Sequence, residues 1–186
     1  MASRAIETSD AAGVAALIRA AFGAIRESLD PRPSALQETE ASILAHLAAG
    51  GGGAVVGQAE PVAAVLWSEK EGGLYLGRLA TAPHCRGQGL ATELVRAAEA
   101  EARRCGLPRL HLGVRLALPG NRRLFARLGF TETRLHAHPG HAEPTWTEAE
   151  KWLVTAPPPG TGTPPGSPNA PPLAAPSSGQ SRASAR

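Results

Sequence analysis

Hydrophobic residues near the start of the chain recur at the spacing of an amphipathic helix. Residues 3–8 fit a short first strand, and Ser9 or Asp10 then offers an N-cap, since either side chain can accept a hydrogen bond from a first-turn amide. The apolar positions that follow keep the 3.6-residue period of one helix face: Val14, Leu17, Ile18, Ala21, Phe22 and Ile25. The pattern therefore predicts a strand followed by a helix.

A second helix and a hairpin are predicted next. Ser34, with Gln37 three residues later, matches a capping box and opens a predicted helix that ends at the glycines of residues 50–53. Two short apolar runs, at residues 54–56 and 62–67, flank a polar turn. Such a pair of runs is typical of a β-hairpin.

The middle of the chain predicts a strand, a long helix and another strand. Residues 74–82 are strand-like up to a proline, and a helix then runs from about Gly87 to Cys105. Gly106 with a following proline predicts a left-handed cap at the end of this helix. Residues 109–116 alternate apolar and polar positions, which predicts a strand with one buried face.

The last predicted elements are a short helix at residues 121–128 and two strands at residues 130–138 and 145–154. The complete order is β-α-α-β-β-β-α-β-α-β-β. This order predicts the α/β (α+β) class, with a mixed sheet and helices on its faces.

Residues 155–186 differ in composition from the rest of the chain. They contain nine prolines, no acidic residue and almost nothing large enough to bury. Such a segment cannot bury enough apolar surface to offset the conformational entropy lost on ordering, so we expect a disordered, partly polyproline-like tail. The folded domain is predicted to be residues 1–154.

Charge and cysteine content narrow the classes of function. Residues 1–154 carry 17 Lys and Arg against 16 Asp and Glu, so their net charge is only +1, and no nucleic-acid partner is expected. Cys85 and Cys105 fall at opposite ends of one predicted helix, too far apart for a disulfide. No secretory leader or long apolar run is present, and we therefore expect a cytoplasmic protein that does not span a membrane.

Glycines lie where the strand at 74–82 passes into the long helix. Small residues there allow the main chain to approach a ligand, and the free amides of a helix start suit a phosphate group, with Arg86 as an added charge. The spacing of Gly87 and Gly89 fits a simple turn equally well. Thr92 occupies the third glycine position of G-x-G-x-x-G and no G-K-[ST] follows, so neither a dinucleotide fingerprint nor a Walker loop is present.

The same segment resembles the signature of the GNAT superfamily of acyl-CoA transferases. That signature, R/Q-x-x-G-x-G/A between a strand and a helix, is matched by Arg86, Gly89 and Ala91. The proline before it, the glycine stop of the long helix and a Gly-Phe corner at residues 129–130 fall where that family has them. The resemblance spans about residues 3–154.

The resemblance implies a mostly antiparallel sheet of about six to seven strands with about four helices. In such a sheet the strand at 74–82 bulges and splays from the strand at 109–116, which opens a slot for acetyl-CoA. A backbone N–H near Ala80 or Thr81 would face the developing oxyanion. The residues implied to contact the pantetheine arm are Leu79, Ala80 and Thr81, and those implied to wrap the pyrophosphate are Arg86, Gly87, Gln88, Gly89, Leu90 and Ala91.

The chain departs from the family at two further coenzyme positions. Members often carry a tyrosine four residues before the glycine of the corner, proposed to protonate the leaving thiolate, and Phe125 stands there instead. Since a thiol has a pKa near ~8.5, its thiolate is a tolerable leaving group without that acid. Leu118 replaces the usual asparagine, and Asn121 one turn later either contacts CoA or caps the short helix, with the cap favoured.

No acidic residue lies within the strand at 74–82, where some relatives keep a general base. The candidates that remain are Glu69 and Glu71 on the preceding hairpin, His111 on the neighbouring strand, and His84 beside the loop. The glutamates also fit a solvated turn, and His111 fits a half-exposed strand residue. A water relay would serve as well, so the catalytic base is not assigned.

Histidines near the end of the domain follow the pattern H-x-H-x-x-H-x-E. Because alternate strand residues share a face, one interpretation is a zinc site with the ligands His136, His138, His141 and Glu143. Because a Pro-Gly pair at residues 139–140 interrupts the strand, we expect no metal. We expect instead a loop over the acceptor slot, with chemistry suited to a polar or anionic amine.

The predicted function is an N-acetyltransferase that moves the acetyl group of acetyl-CoA to a primary amine of a small molecule or a protein. The alternative is a catalytically weak relative that binds acyl-CoA as a sensor, as Phe125 suggests. A third hypothesis places the function in the proline-rich tail, as a ligand for a groove that reads extended prolines. A homodimer is a possible assembly, since relatives commonly dimerise.

Overall fold

Seven strands form one sheet in the computed structural model, which describes residues 2–153. The tail predicted at 155–186 and the domain boundary predicted after residue 154 lie outside the described residues. The strands are β1 Arg4–Ala5, β2 Gly52–Val56, β3 Ala63–Lys70, β4 Gly73–Thr81, β5 Arg109–Arg115, β6 Thr131–His136 and β7 Trp146–Trp152.

The strands lie side by side in the order β1-β2-β3-β4-β5-β7-β6. Each neighbouring pair is antiparallel except β4 and β5, which are parallel. The mixed, mostly antiparallel sheet predicted from the sequence is therefore confirmed, as is the order of its elements.

The parallel strands β4 and β5 separate soon after they begin. Only two residue pairs are in register, Leu74 with Leu110 and Tyr75 with His111. Beyond Tyr75 the two strands diverge, and a slot opens between them at the carboxyl end of β4.

A bulge bends β4 at the point where the slot opens. Arg78 and Leu79 lie opposite a single residue of β3, Val65, and Arg78 adopts a positive φ of 56°. An extra residue on one strand increases the local twist and turns the strand away from its neighbour. The bulge implied by the resemblance is present.

Helices cover both faces of the sheet: α1 Ala11–Gly23, α2 Glu40–Ala48, α3 Leu90–Arg104 and α4 Pro119–Arg127. Side chains alternate between the faces of a strand. Consequently Val55 and Ala64 pack with α1 and α2, whereas Ala54 and Val65 pack with α3. Among residues 2–153, no helix is both long and apolar enough to cross a membrane.

The predicted start of the second helix at Ser34 is wrong. Residues Ser34–Gln37 form a separate 3-10 turn, and α2 begins later, with Thr39 as its N-cap. The Thr39 hydroxyl accepts a hydrogen bond from the Ser42 amide at 3.1 Å, and the Ser42 hydroxyl accepts one from the Thr39 amide at 2.9 Å. Serine thus replaces the glutamate or glutamine of the usual capping box.

The two later helices also begin at residues other than those predicted. Helix α3 starts at Leu90 rather than Gly87, because Gly87 and Gly89 have left-handed φ values of 79° and 78°. Helix α4 starts at Pro119, so Asn121 lies inside its first turn. No side chain caps α4, and the favoured assignment of Asn121 as a helix cap is wrong.

Candidate active site

A cleft of about 850 Å³ lies where β4 and β5 separate. Its walls are the end of α1, the last residues of β4, the loop before α3, and α4. Gln88 does not line this cleft, although the resemblance implied that it contacts the coenzyme with the other candidates. Those that line it are Leu79, Ala80, Thr81, Arg86, Gly87, Gly89, Leu90, Ala91, Asn121 and Phe125.

The first turn of α3 presents unpaired amides to the cleft. Gly89 is the N-cap and no side chain caps this end of the helix. The Glu93 amide, which bonds to the Gly89 carbonyl at 3.1 Å, is the first donor within the helix, so the amides of Leu90, Ala91 and Thr92 have no intrahelical acceptor. Together with the positive end of a 15-residue helix dipole, they form a site suited to an anion.

The Arg86 side chain bridges two walls of the cleft. Its Nη2 atom donates a hydrogen bond to the carbonyl of Ala21, in α1, at 3.2 Å. The loop before α3 is thereby fastened to α1. A guanidinium at this position also adds positive charge beside the free amides.

The edge of β4 that faces the slot supplies a main-chain donor. The Ala82 amide bonds to the Val62 carbonyl at 2.8 Å, on the β3 side of the strand. Because successive amides of a strand point to opposite sides, the Ala80 amide also points toward β3 and the Thr81 amide points into the slot. Of the two donors considered from the sequence, the geometry favours Thr81.

Helix α4 gives the cleft an apolar wall. Phe125 packs edge-on against Phe130, with ring centroids 5.7 Å apart and an interplanar angle of 75°. Leu124 and Leu128 lie on the same wall. A ligand with an apolar arm and an anionic group fits the combination of this wall with the amides of α3.

His111 is buried, and its prediction as a half-exposed strand residue is wrong. Only 2 % of its surface is exposed, because Tyr75 of β4 packs against its ring with centroids 5.3 Å apart. Its Nε2 lies 3.0 Å from the Lys70 carbonyl, which can only accept, so Nε2 carries the hydrogen. Its Nδ1 lies 3.6 Å from Oε1 of Glu148.

Two of the candidate bases lie together at the closed end of the slot. The side-chain oxygen or nitrogen atoms of Glu71, His111 and Glu148 lie within 4.8 Å of one another, while Glu69 is exposed on the hairpin. His111 pairs with Tyr75, four residues or about 13 Å along the strand from Leu79 at the open part of the slot. A direct proton transfer at Leu79 is therefore out of their reach.

No sequence motif singles out Glu27 or Arg115. Glu27 is the only carboxylate among the residues that line the cleft, and it follows the end of α1. Arg115, at the end of β5, lines a neighbouring cavity. Both positions depend on contacts between distant segments, and no local motif marks them. His84 is exposed in a short 3-10 turn.

The residues of the H-x-H-x-x-H-x-E pattern do not converge on one point within residues 2–153. His136 stacks on Trp146 with ring centroids 4.1 Å apart, and His141 lies 3.8 Å from the Asp30 carboxylate. His138 contacts Thr145 and Arg115. Burial, followed by the nearby Arg115 charge, lowers the pKa of His138, so its ring is neutral at pH 7.

Comparison with known families gives one match that covers most of the chain. The family described as acetyltransferase (GNAT) family matches residues 14–130, which is more than half of the 186 residues. No curated protein matches the chain in sequence.

Solved structures share the fold at low sequence identity. The protein yncA from Salmonella typhimurium, solved with its cofactor acetyl-CoA, is 19% identical with a TM-score of 0.65, over 87% of this chain and 98% of that one. The ribosomal-protein-S18-alanine N-acetyltransferase from Escherichia coli is 18% identical with a TM-score of 0.64, over 83% and 94%. The PaiA N-acetyltransferase from Thermoplasma acidophilum, in complex with coenzyme A, is 13% identical with a TM-score of 0.62, over 82% and 99%.

Proposed function

The chain belongs to the GNAT family of acetyltransferases, and we propose that it transfers the acetyl group of acetyl-CoA to a primary amine of a small molecule or a protein. One observation carries the proposal. The free amides of α3, the unpaired edge of β4 and the apolar wall of α4 surround a single cleft.

In this proposal the main chain holds most of the coenzyme. The amides from Gly87 to Ala91 bind the diphosphate, and Arg86 adds charge at the same place. The edge of β4 at residues 79–81 pairs with the pantetheine arm as an additional strand would. Phe125 packs against the arm from α4.

Acetyl-CoA supplies the reactive thioester. The amine nitrogen forms a bond to the thioester carbonyl carbon, the carbon–sulfur bond breaks, and the electron pair leaves with sulfur as a thiolate. The Thr81 amide donates a hydrogen bond to the carbonyl oxygen as negative charge develops there. One donor of this kind lowers a barrier by about 3–4 kcal/mol.

The substrate ammonium must lose a proton before it can attack. Glu27 lines the cleft, whereas Glu69, Glu71 and His111 lie at its closed end or outside it. We therefore infer that Glu27, directly or through water, accepts this proton. A Glu27→Gln variant should lower kcat/KM at pH 7, and an unchanged value would leave water as the acceptor.

Phe125 favours a second candidate function. Its side chain cannot protonate a leaving thiolate. An acyl-CoA sensor of the same fold needs no such acid and would have the same cleft. Acetyl transfer separates the two functions. The protein is incubated with acetyl-CoA and a panel of amines, and thiol release is recorded together with the acetylated product. Release with at least one amine supports the transferase; tight coenzyme binding with no release from any amine supports the sensor.

We further propose that residues 1–154 are the acetyltransferase domain, that they act in the cytoplasm, and that the segment 155–186 takes no part in coenzyme binding. At a concentration of acetyl-CoA of ~100 times its Kd, the bound protein gains about 2.7 kcal/mol of stability. The full chain and a chain truncated after residue 154 should show the same thermal shift. A smaller shift in the truncated protein would contradict this division.

A further inference from the structure

A second cavity, of about 370 Å³, lies beside the cleft on the side away from α3. Consecutive residues line the two cavities, Glu27 and Ser28 on one wall and Ala117 and Leu118 on the other, so the cavities are neighbours. A volume of this size lies within the usual range for small-molecule sites. The loop after α1 and the end of the β6–β7 connection close its sides.

Arg115 is the charged group of β5 that enters this cavity. In the parallel pair, Tyr75 is level with His111, and Arg115 lies four residues further along β5, where that strand borders the slot. The side chain lies on the face of β5 that carries His111, opposite the leucines and valine that pack on α3. An acceptor bound there would approach Leu79 from the face away from α3.

The Arg115 guanidinium has no carboxylate partner within 4 Å among residues 2–153. It donates to the carbonyls of Asp30 at 3.2 Å and Pro31 at 2.6 Å, and it lies 3.3 Å from Nδ1 of His138. These partners are all neutral, since the Asp30 carboxylate itself points to solvent with 87% of its side chain exposed. A partly buried cation with only neutral partners is incompletely compensated.

The pKa values in this region agree with a partly buried positive charge. Burial lowers the pKa of Arg115, and the nearby Asp30 charge opposes this effect only in part. After burial, the Arg115 charge contributes to the lowered pKa of His138. A planar guanidinium pairs well with a planar carboxylate, through parallel hydrogen bonds.

We propose that Arg115 binds the carboxylate of the acceptor, and that the acceptor is a free amino acid or a similarly small amine that carries a carboxylate. The inference rests on the proposed acetyl transfer, whose cleft supplies the thioester beside Leu79. Two of the hydrogen bonds, to the carbonyls of Asp30 and Pro31, fasten the loop at residues 30–31, so Arg115 also shapes the cavity.

Matched pairs of amines test the assignment. The twenty standard L-amino acids and their α-carboxamides are compared as acceptors, with kcat/KM expressed per concentration of unprotonated amine, since the carboxamide also makes the α-ammonium more acidic. The wild-type protein should prefer at least one amino acid over its carboxamide by about 10- to 100-fold in kcat/KM, the range of a charge-assisted pair. Equal values within every pair, or a uniform preference for carboxamides, would overturn the proposal.

Variants separate recognition from loop support. Arg115→Gln should raise KM for the preferred amino acid about 10- to 100-fold and leave KM for its carboxamide within about twofold. Arg115→Lys, which keeps the charge, should restore part of the preference. Arg103→Gln, on the exposed face of α3, is the control and should leave both KM values unchanged. An equal rise in KM for both amines in Arg115→Gln would mean that the residue only supports the loop.

A binding measurement keeps the test independent of catalysis. The protein saturated with coenzyme A is titrated with the same amino acids and carboxamides by calorimetry. If the wild-type protein binds an amino acid and Arg115→Gln abolishes that binding, the result supports the proposal. If no thiol is released in the same case, only the proposed acetyl transfer is contradicted. If no amino acid binds the wild-type protein, the proposal is wrong while thiol release from other amines leaves the transferase intact.

Discussion

Gly89→Ala tests whether the start of α3 is built for a ligand or only for a turn. Gly89 has φ 78°, and a methyl group at its α carbon would meet no atom within 4 Å. Its replacement is therefore penalised by backbone conformation and not by crowding. Gly50, which follows α2, is a matched control, because it has φ 84° and equally open space but does not line the cleft.

The two substitutions should weaken the fold alike. An L-residue in the left-handed region costs about 1–2 kcal/mol. For a protein of this size each kcal/mol lowers Tm by about 2–4 °C, so each variant should melt about 2–8 °C below the wild type.

Their effects on the coenzyme should differ. Relaxation of the backbone at Gly89 toward negative φ turns the amides of Leu90 and Ala91 away from the cleft. Loss of one hydrogen bond to a charged group, about 1.5–3 kcal/mol, weakens binding about 10- to 100-fold. Gly50→Ala should leave the Kd unchanged.

Calorimetric titration with coenzyme A, together with thermal melts of both variants, makes the comparison. The predicted result is a similar loss of Tm in the two variants, with weaker binding in Gly89→Ala alone. If both bind coenzyme A as tightly as the wild type, the glycine is needed only for the turn and the amides do not hold the ligand.

Three further substitutions have definite expected outcomes. Phe125→Tyr should change kcat by less than about threefold at pH 8, because a thiolate with a pKa near ~8.5 leaves unaided; a hundredfold rise would show that protonation limits the wild type. Thr39→Ala should destabilise the protein by about 1 kcal/mol in denaturant titration, whereas Ser34→Ala should have a smaller effect, since Thr39 and not Ser34 caps α2. Hydrogen bonds from Arg4 at 2.6 Å, and then the Glu7 amide, hold the pKa of Asp10 below its ordinary value of 3.8. This stabilisation is present above pH 3.8 and is lost as pH falls through the lowered pKa. Asp10→Asn should therefore lower the free energy of unfolding by up to about 1 kcal/mol at pH 7, and the difference in stability from the wild type should shrink in acid. A difference that is constant with pH would contradict the pairing.

Patterns of residues that are close in sequence predicted much of the fold. Alternation placed Leu110, Leu112 and Val114 on the buried face of β5, and all three are buried. The glycine after α3 adopts the expected left-handed φ of 69° at Gly106. Each of these features depends on residues close together in the chain, which is why the sequence alone sufficed.

Features that depend on distant pairings were not predicted. His111 looked half-exposed because it shares a face of the strand with Arg109 and Arg115, but Tyr75 of another strand covers it. Arg115 bonds to Asp30, 85 residues away, and nothing in either local sequence indicates that contact. The start of α2 was missed for a local reason, since Ser42 completes the cap of Thr39 in place of the usual glutamate.

The structure of the protein crystallised with acetyl-CoA tests the central claim most directly. The account predicts diphosphate oxygens within about 3 Å of main-chain amides between Gly87 and Ala91, with the pantetheine arm beside residues 79–81. Density for the coenzyme at another surface, or against side chains alone with these amides bonded to water, would contradict it.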